Sequence, residues 1–245
     1  MKCTLLEYTG SPDPERAIDL LIFTKNTRLQ MSPGMLNDIA SWPAAKKLDE
    51  LEYMANTIPS SWEFVNYTFL IEGVTRAFTH QLVRTRTASF AQQTMRVLDV
   101  SSGPGWDYLV GPTIAGDEQR ASLYQNEMDM IASCYSLLVK NGAAIEDARG
   151  ILPTNILTNI VMGCNMRTFV ELVRKRSSPR TQGEYRNVLE AMKTAVREVH
   201  PWIDLFVNRT ADAAMHDLDD EINGIDDNAK RLRMLKLVDL CRGQL

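Results

Sequence analysis

The chain has 245 residues, 44% of them hydrophobic and 24% charged, with a formal net charge of −4. That balance suits an ordinary soluble globular domain with room for a real core, and the acidic total argues against a protein that holds long nucleic acid. No apolar run approaches the roughly 20 residues of a membrane span, and the start MKCTLLEYTG lacks a long apolar leader, so a cytoplasmic protein with no membrane partner is expected.

In chain order, Lys2–Tyr8 is predicted to be a strand and Pro14–Lys25 a helix, with Ser11-Pro12-Asp13 as its start signal. From Pro33 to Thr57 the pattern is helical in pieces, interrupted at Pro43 and stopped by Pro59. Phe64–Gly73 alternates and is rich in β-branched and aromatic residues, which predicts a strand. A helix follows from Val74 to about Val83, with Val74, Phe78 and Leu82 as its apolar stripe and Gln81 and Thr85 on a neighbouring face. Met95–Ser102 and Trp106–Ile114 read as strands around the turn Ser102-Gly103-Pro104-Gly105. Asp117–Lys140 is a long amphipathic helix, Ile145–Pro153 a short one, and Ile156–Asn165 a strand. Met166–Arg176 is helical, and Gln182–Val207 is a second long helix, bent or broken near Pro201. An acidic patch, Asp212–Asp227, precedes a last amphipathic helix over Asn228–Gly243. The expected fold class is α/β (α+β): a central mixed sheet with a helix-rich second half.

Cys3, Cys134, Cys164 and Cys241 are scattered, with no C-x-x-C pair, and His80, His200 and His216 stand in no ligand spacing. Free thiols and no metal site are therefore expected. Charge distribution is more informative. Between Gly73 and Leu98 there are four arginines and no acid. Between Arg149 and Arg186 there are six arginines and Lys175 against only Glu171 and Glu184, so the rest of the chain is strongly acidic. Two arginine islands in such a chain point to a small anionic ligand, and arginine rather than lysine suits forked recognition of phosphate or carboxylate.

Phosphate loops of the G-x-x-x-x-G-K-[ST] and G-x-G-x-x-G types are absent, as are a G-x-S-x-G elbow and a Cys–His nucleophile context. What remains is an anion cradle drawn from Arg84, Arg86, Arg96, Arg149 and Arg176. Ser89 and Thr94 add hydroxyls, and Gln81, Gln92 and Gln93 add amides able to read a base edge. The competing reading is a set of surface arginines beside a polar loop. Arg176 is similarly open. It lies seven residues after Phe169, so it either snorkels from a helix C-terminus or is a desolvated arginine held for a ligand.

RTRTASFAQQTMR (Arg84–Arg96) resembles the signature of the flavin-dependent thymidylate synthases, in which R-H-R is followed by a Ser, amide or acid residues and S-x-R. GVTRAFTHQLV before it, and EDARGILPTN (Glu146–Asn155) and NMRTFVELVRKR (Asn165–Arg176) after it, resemble further family segments in the family's order, over roughly Met1 to Pro201. The resemblance implies a catalytic domain over residues 1–210, with the acidic segment and last helix of 211–245 as an extension. It also implies a homotetramer with active sites shared between subunits, FAD as cofactor, methylenetetrahydrofolate as co-substrate and NADPH as a possible reductant. By position, Gln81, Gln92, Gln93, Thr94, Met95 and Arg96 would line a deoxynucleotide, with Arg96 and Arg149 on its phosphate. Arg176 would sit on the pyrimidine and favour ionisation near N3. Asn66, Arg84, Thr85, Arg86, Gln92, Asn165, Met166, Arg167 and Glu171 would contact the flavin.

The chain departs from the pattern at four places. Thr85 stands where the family has the central His of R-H-R, and Phe64 aligns with a second family His. Thr94 replaces the usual Ser, and Val97 the Tyr that often follows. Three functions are weighed: conversion of dUMP to dTMP; a related reaction giving a 5-hydroxymethyl product or using dCMP; and a non-catalytic nucleotide-binding protein. Retention of all five arginines argues against the last.

Overall fold

The computed structural model describes residues 1–27, 31–96, 106–176, 180–208, 218 and 222–242. Its framework is a four-stranded sheet built from β1 (Lys2–Tyr8), β2 (Asn66–Thr75), β3 (Ser89–Gln92) and β4 (Leu157–Asn165), in the order β1-β2-β4-β3. Every pairing is antiparallel, so the sheet is not mixed in strand direction as expected. The period-two alternation of β2 turns Tyr67, Phe69 and Ile71 into the core, and Ile160, Met162 and Cys164 of β4 lie beside them. The β2–β4 register shifts between Ile71 and Val74, and Gly73 adopts φ 64 within that bulge, a conformation most side chains resist.

The helices are α1 (Glu15–Asn26), α2 (Met35–Ala40), α3 (Ala44–Thr57), α4 (Arg76–Leu82), α5 (Pro112–Ala115), α6 (Glu118–Lys140), α7 (Ile145–Ala148), α8 (Met166–Arg176), α9 (Gly183–Val199) and α10 (Asp204–Val207), followed by a C-terminal helix over Asn228–Arg242. One core joins α1, α3, α4, α8, α9 and α10 to the sheet; Phe78 and Leu82 of α4 are fully buried in it, and so is Val74, which belongs to β2 because the helix predicted from Val74 starts only at Arg76. Phe69 and Phe169 stack at 5.8 Å, which locks α8 onto β2. Lys47 and Asp19 pair at 2.5 Å between α3 and α1, both side chains nearly buried, so each charge depends on the other.

Several expectations change. Trp106–Ile114 is not a strand: Tyr108 makes an isolated bridge to Ile156, and Pro112 opens α5, where its fixed φ and missing N–H suit a first helical turn. Of the strand predicted over Met95–Ser102 only Met95 and Arg96 are described, and they are not in a strand; residues 97–105, with the turn at 102–105, and most of the acidic patch lie outside the described residues. The long helix predicted over Gln182–Val207 is broken near Pro201 as expected, with α9 ending at Val199. Pro201 then starts a 3₁₀ turn that leads into α10. β3 was not predicted; its four residues are too few to establish a period.

His200 sits at the break, fully buried. Its Nδ1 lies 3.0 Å from the Tyr67 hydroxyl, and its ring stacks on Trp202 at 4.8 Å. Burial holds its pKa down to about 4, against a smaller upward pull from the backbone of Thr9. The folded state therefore binds neutral His200, while the unfolded chain takes up a proton near pH 6.5. Its contribution is fully present above that value and is lost as pH falls toward about 4. In urea titrations, stability should drop by up to about 3 kcal/mol over this window from this group, and His200→Phe should flatten that part of the curve.

Candidate functional site

Two strand-to-helix corners organise the site. β2 runs directly into α4, where the Thr75 hydroxyl accepts the Phe78 N–H. β4 runs directly into α8, where Asn165 Oδ1 accepts the Thr168 N–H at 2.9 Å. Both are N-caps that satisfy helix donors left without intrahelical partners. Because β2 and β4 are antiparallel, with Asn66 opposite Asn165 and Thr75 opposite Leu157, the two corners stand at opposite ends of the strand pair.

The signature spans both ends. After α4 it turns through Arg84 and Thr85, and Thr87 Oγ1 meets Thr168 Oγ1 at 3.0 Å, beside the α8 corner. β3 then carries the chain along the sheet edge, Ser89 opposite Gly163 and Gln92 opposite Ile160. Four residues of strand separate the ends by about 10 Å. Gln93 arrives at the α4 corner, where its N–H donates to the Asn159 carbonyl and its own carbonyl accepts from Arg76 Nη2 at 2.6 Å.

At the α8 end lie Asn66, Asn165, Arg167 and Glu171. Arg167 is bonded by Glu63 at 2.6 Å and Glu171 at 3.1 Å, and those carboxylates raise its pKa. Partial burial pushes the Glu171 carboxyl up, but hydrogen bonds from Lys175 and Arg167 win and hold it below the usual range. Arg84 and Arg86 are exposed, and neither forms an ion pair among the described residues. Their free forked donors fit a diphosphate such as that of a flavin dinucleotide. Met166 does not fit the flavin expectation. Its side chain is fully buried in the core and its N–H is bonded to the Val65 carbonyl at 2.7 Å, because it is the first residue of an apolar stripe.

At the α4 end, Arg76 and Arg149 are close enough for like-charge repulsion. Burial and then Arg149 hold the Arg76 guanidinium below its usual range, and its buried Nε has no hydrogen-bond partner. Arg96 pairs with Glu146 at 2.7 Å, and Arg149 Nε donates to the Glu146 carbonyl at 3.1 Å. Thr94 Oγ1 accepts the Arg96 N–H. Gln93 is already engaged by Asn159 Nδ2 at 3.0 Å, and Gln92 by Thr79 at 2.9 Å, so these amides build the loop's shape. Gln81 donates to Gln182 at 2.6 Å, while Met95 is half-buried beyond the edge strand. Arg76 was missed in the sequence because it lies before the signature. The signal was there, since it is the first arginine of the acid-free run.

Arg176 closes α8. It is half-buried and its guanidinium lies 5.3 Å from the centre of the Tyr185 ring, so it meets an aromatic face rather than a carboxylate. It lines a cleft of about 420 Å³ together with Arg186, Asn187, Leu189 and Glu190. Two of the thiols are poor nucleophiles: burial pushes Cys3 up to about 11 and Cys164 up to about 12.

Comparison with known proteins agrees with this architecture. Residues 4–202 match the family model described as thymidylate synthase complementing protein. The flavin-dependent thymidylate synthase of Geobacter sulfurreducens is 32% identical over 207 residues, covering 83% of this chain and 85% of the relative. That of Clostridium tetani is 31% identical over 219 residues, covering 82% and 84%. The crystal structure of the Helicobacter pylori flavin-dependent thymidylate synthase, complexed with FAD and dUMP, superposes with a TM-score of 0.62 at 17% identity, over 83% of this chain and 97% of that one. At that identity the superposition speaks for the fold. With the family match and the two relatives, it leads to one conclusion: the chain belongs to the flavin-dependent thymidylate synthase family.

Proposed function

We propose that this protein transfers a one-carbon unit from methylenetetrahydrofolate to C5 of dUMP and reduces it, giving dTMP, with FAD as cofactor and NADPH as reductant. The observation that carries the reading is the edge strand β3, which joins two arginine groups with different surroundings. Arg84 and Arg86 stand uncommitted beside the α8 corner; Arg76 and Arg149 repel each other at the α4 corner. Like charges held together, one with a buried unpaired donor, cost stability unless an anion neutralises them. A nucleotide phosphate supplies that charge.

In this reading Arg84, Thr85, Arg86, Asn66, Asn165, Arg167 and Glu171 hold the flavin, which when bound supplies the reducing equivalents. Arg76, Arg96 and Arg149 take the phosphate, with the Thr94 hydroxyl beside them. The Arg96–Glu146 pair is more than two-fifths exposed on each side, so it is worth less than about 1 kcal/mol and a dianion can displace it. Gln81, Gln92, Gln93 and Met95 shape the nucleotide's surroundings. Arg176 faces the base, where a guanidinium stabilises negative charge developing near N3 and makes C5 a better nucleophile. Self-association into a tetramer with shared sites is supported by α6. Leu123, Met130 and Leu137, seven residues apart, are 63%, 59% and 59% exposed and form one stripe on its outer face.

Purified protein should show flavin absorbance and convert dUMP to dTMP when given methylenetetrahydrofolate and a reductant, read by product mass. A hydroxymethylated product, or turnover of dCMP instead, would establish the related reaction motivated by Thr85 and Phe64; no flavin and no turnover would refute both. Arg176→Ala should reduce turnover at least a hundredfold, measured per bound flavin, while flavin content stays near wild type. Arg76→Gln should weaken dUMP binding about tenfold and leave deoxyuridine binding nearly unchanged, as calorimetry with the two ligands would read.

A further inference from the structure

We propose that Tyr185 positions Arg176, its ring serving as the seat on which the guanidinium is held against the base. The inference rests on the reading of Arg176 as the base-activating group. Tyr185 is the third residue of α9 and is fully buried, yet one face of its ring lies under the Arg176 guanidinium, 5.3 Å from ring centre to guanidinium carbon. Its edge packs on Phe78 of α4 at 5.0 Å.

The turn that carries the ring is tied down at two more points. Glu184 accepts the Thr75 N–H at 2.8 Å and the Thr75 hydroxyl at 2.6 Å, and Gln182 accepts from Gln81 at 2.6 Å. Both ties go to the corner and helix that lead into the signature. The seat is therefore rigid and registered to the rest of the site. Arg176, by contrast, ends α8 on a long side chain and forms no ion pair among the described residues. Such a side chain loses much rotamer freedom when fixed in one place.

The chemistry of the seat matters as much as its position. A carboxylate would hold the arginine more strongly but would occupy two N–H donors and neutralise its charge. An aromatic face attracts the cation through the ring quadrupole and leaves the donors around the guanidinium rim available. An arginine whose task is to stabilise an anion that forms only during reaction needs that arrangement. Burial raises the pKa of the phenol, and the Arg176 charge beside its ring works against that rise.

The test compares wild type with Tyr185→Leu, Tyr185→Met and Tyr185→Phe, each loaded with flavin and assayed on dUMP across pH. Loss of the ring in Tyr185→Leu should lower kcat per flavin about tenfold. With Arg176 unseated, the base ionises less readily, so the acid limb of the kcat profile should move up by about one pH unit. KM for dUMP and flavin content should change less than threefold, and Tyr185→Phe should recover most of the loss. Tyr185→Met fills similar space without a ring and carries the same expectation if the leucine variant does not fold. A ringless variant that loads flavin and keeps the wild-type kcat and acid limb would overturn the proposal. So would a Tyr185→Phe protein as impaired as Tyr185→Leu. A wild type without flavin or turnover would instead bring down the functional reading, and this inference with it.

Discussion

The antiparallel pairing of β2 with β4 is the constraint from which the site follows. Each strand passes without a loop into a helix whose first turn is capped by the side chain at the junction, Thr75 in one case and Asn165 in the other. Opposed strand directions send the two corners to opposite ends of the pair. A ligand site built on such a frame has two separated centres, and β3 is the piece of chain that connects them along the sheet edge. The core beneath supplies rigidity: Tyr67, Phe69 and Phe169 interlock under the strands, so neither corner can shift independently.

Beside the exposed Arg84 and Arg86, electrostatics separates three kinds of arginine. Arg167 and Arg96 already have carboxylate partners, largely exposed, and water screens most of that attraction. Arg174 is spent on structure, donating twice to the Phe206 carbonyl. Arg76, Arg149 and Arg176 have no carboxylate partner among the described residues and are held by a carbonyl, a carbonyl and a ring respectively. Keeping positive charge uncompensated is unfavourable for the free protein, and it is the condition under which an anionic ligand gains most.

Much of the local structure was legible because it rests on short-range pattern. The stripe Met166, Phe169, Val170 and Val173 defines α8 to the residue, and the alternation in Phe64–Gly73 locates β2, which is shifted by two residues to Asn66–Thr75. Failures came where tertiary context overrode pattern. Tyr108 and its neighbours look like a strand but find only Ile156 to pair with. Ser89–Gln92 looks like a polar loop but is recruited as an edge strand by the free side of β4. Met166 is adjacent to two polar residues of the expected flavin set, yet helix geometry turns its side chain inward.

The amino-acid sequence determined the class of ligand and the inventory of groups for it. An acid-free run with four arginines, a second arginine island, and the order of the three motifs need no coordinates to be read. Only the tertiary structure decided which groups face one another. Arg76 feels the charge of Arg149 across 73 positions of sequence, and Arg176 meets Tyr185 because α9 folds back onto α4. The physical reason is that propensity and periodicity act over a few residues, whereas charge repulsion and ring contacts depend on distances set by strand register and helix packing.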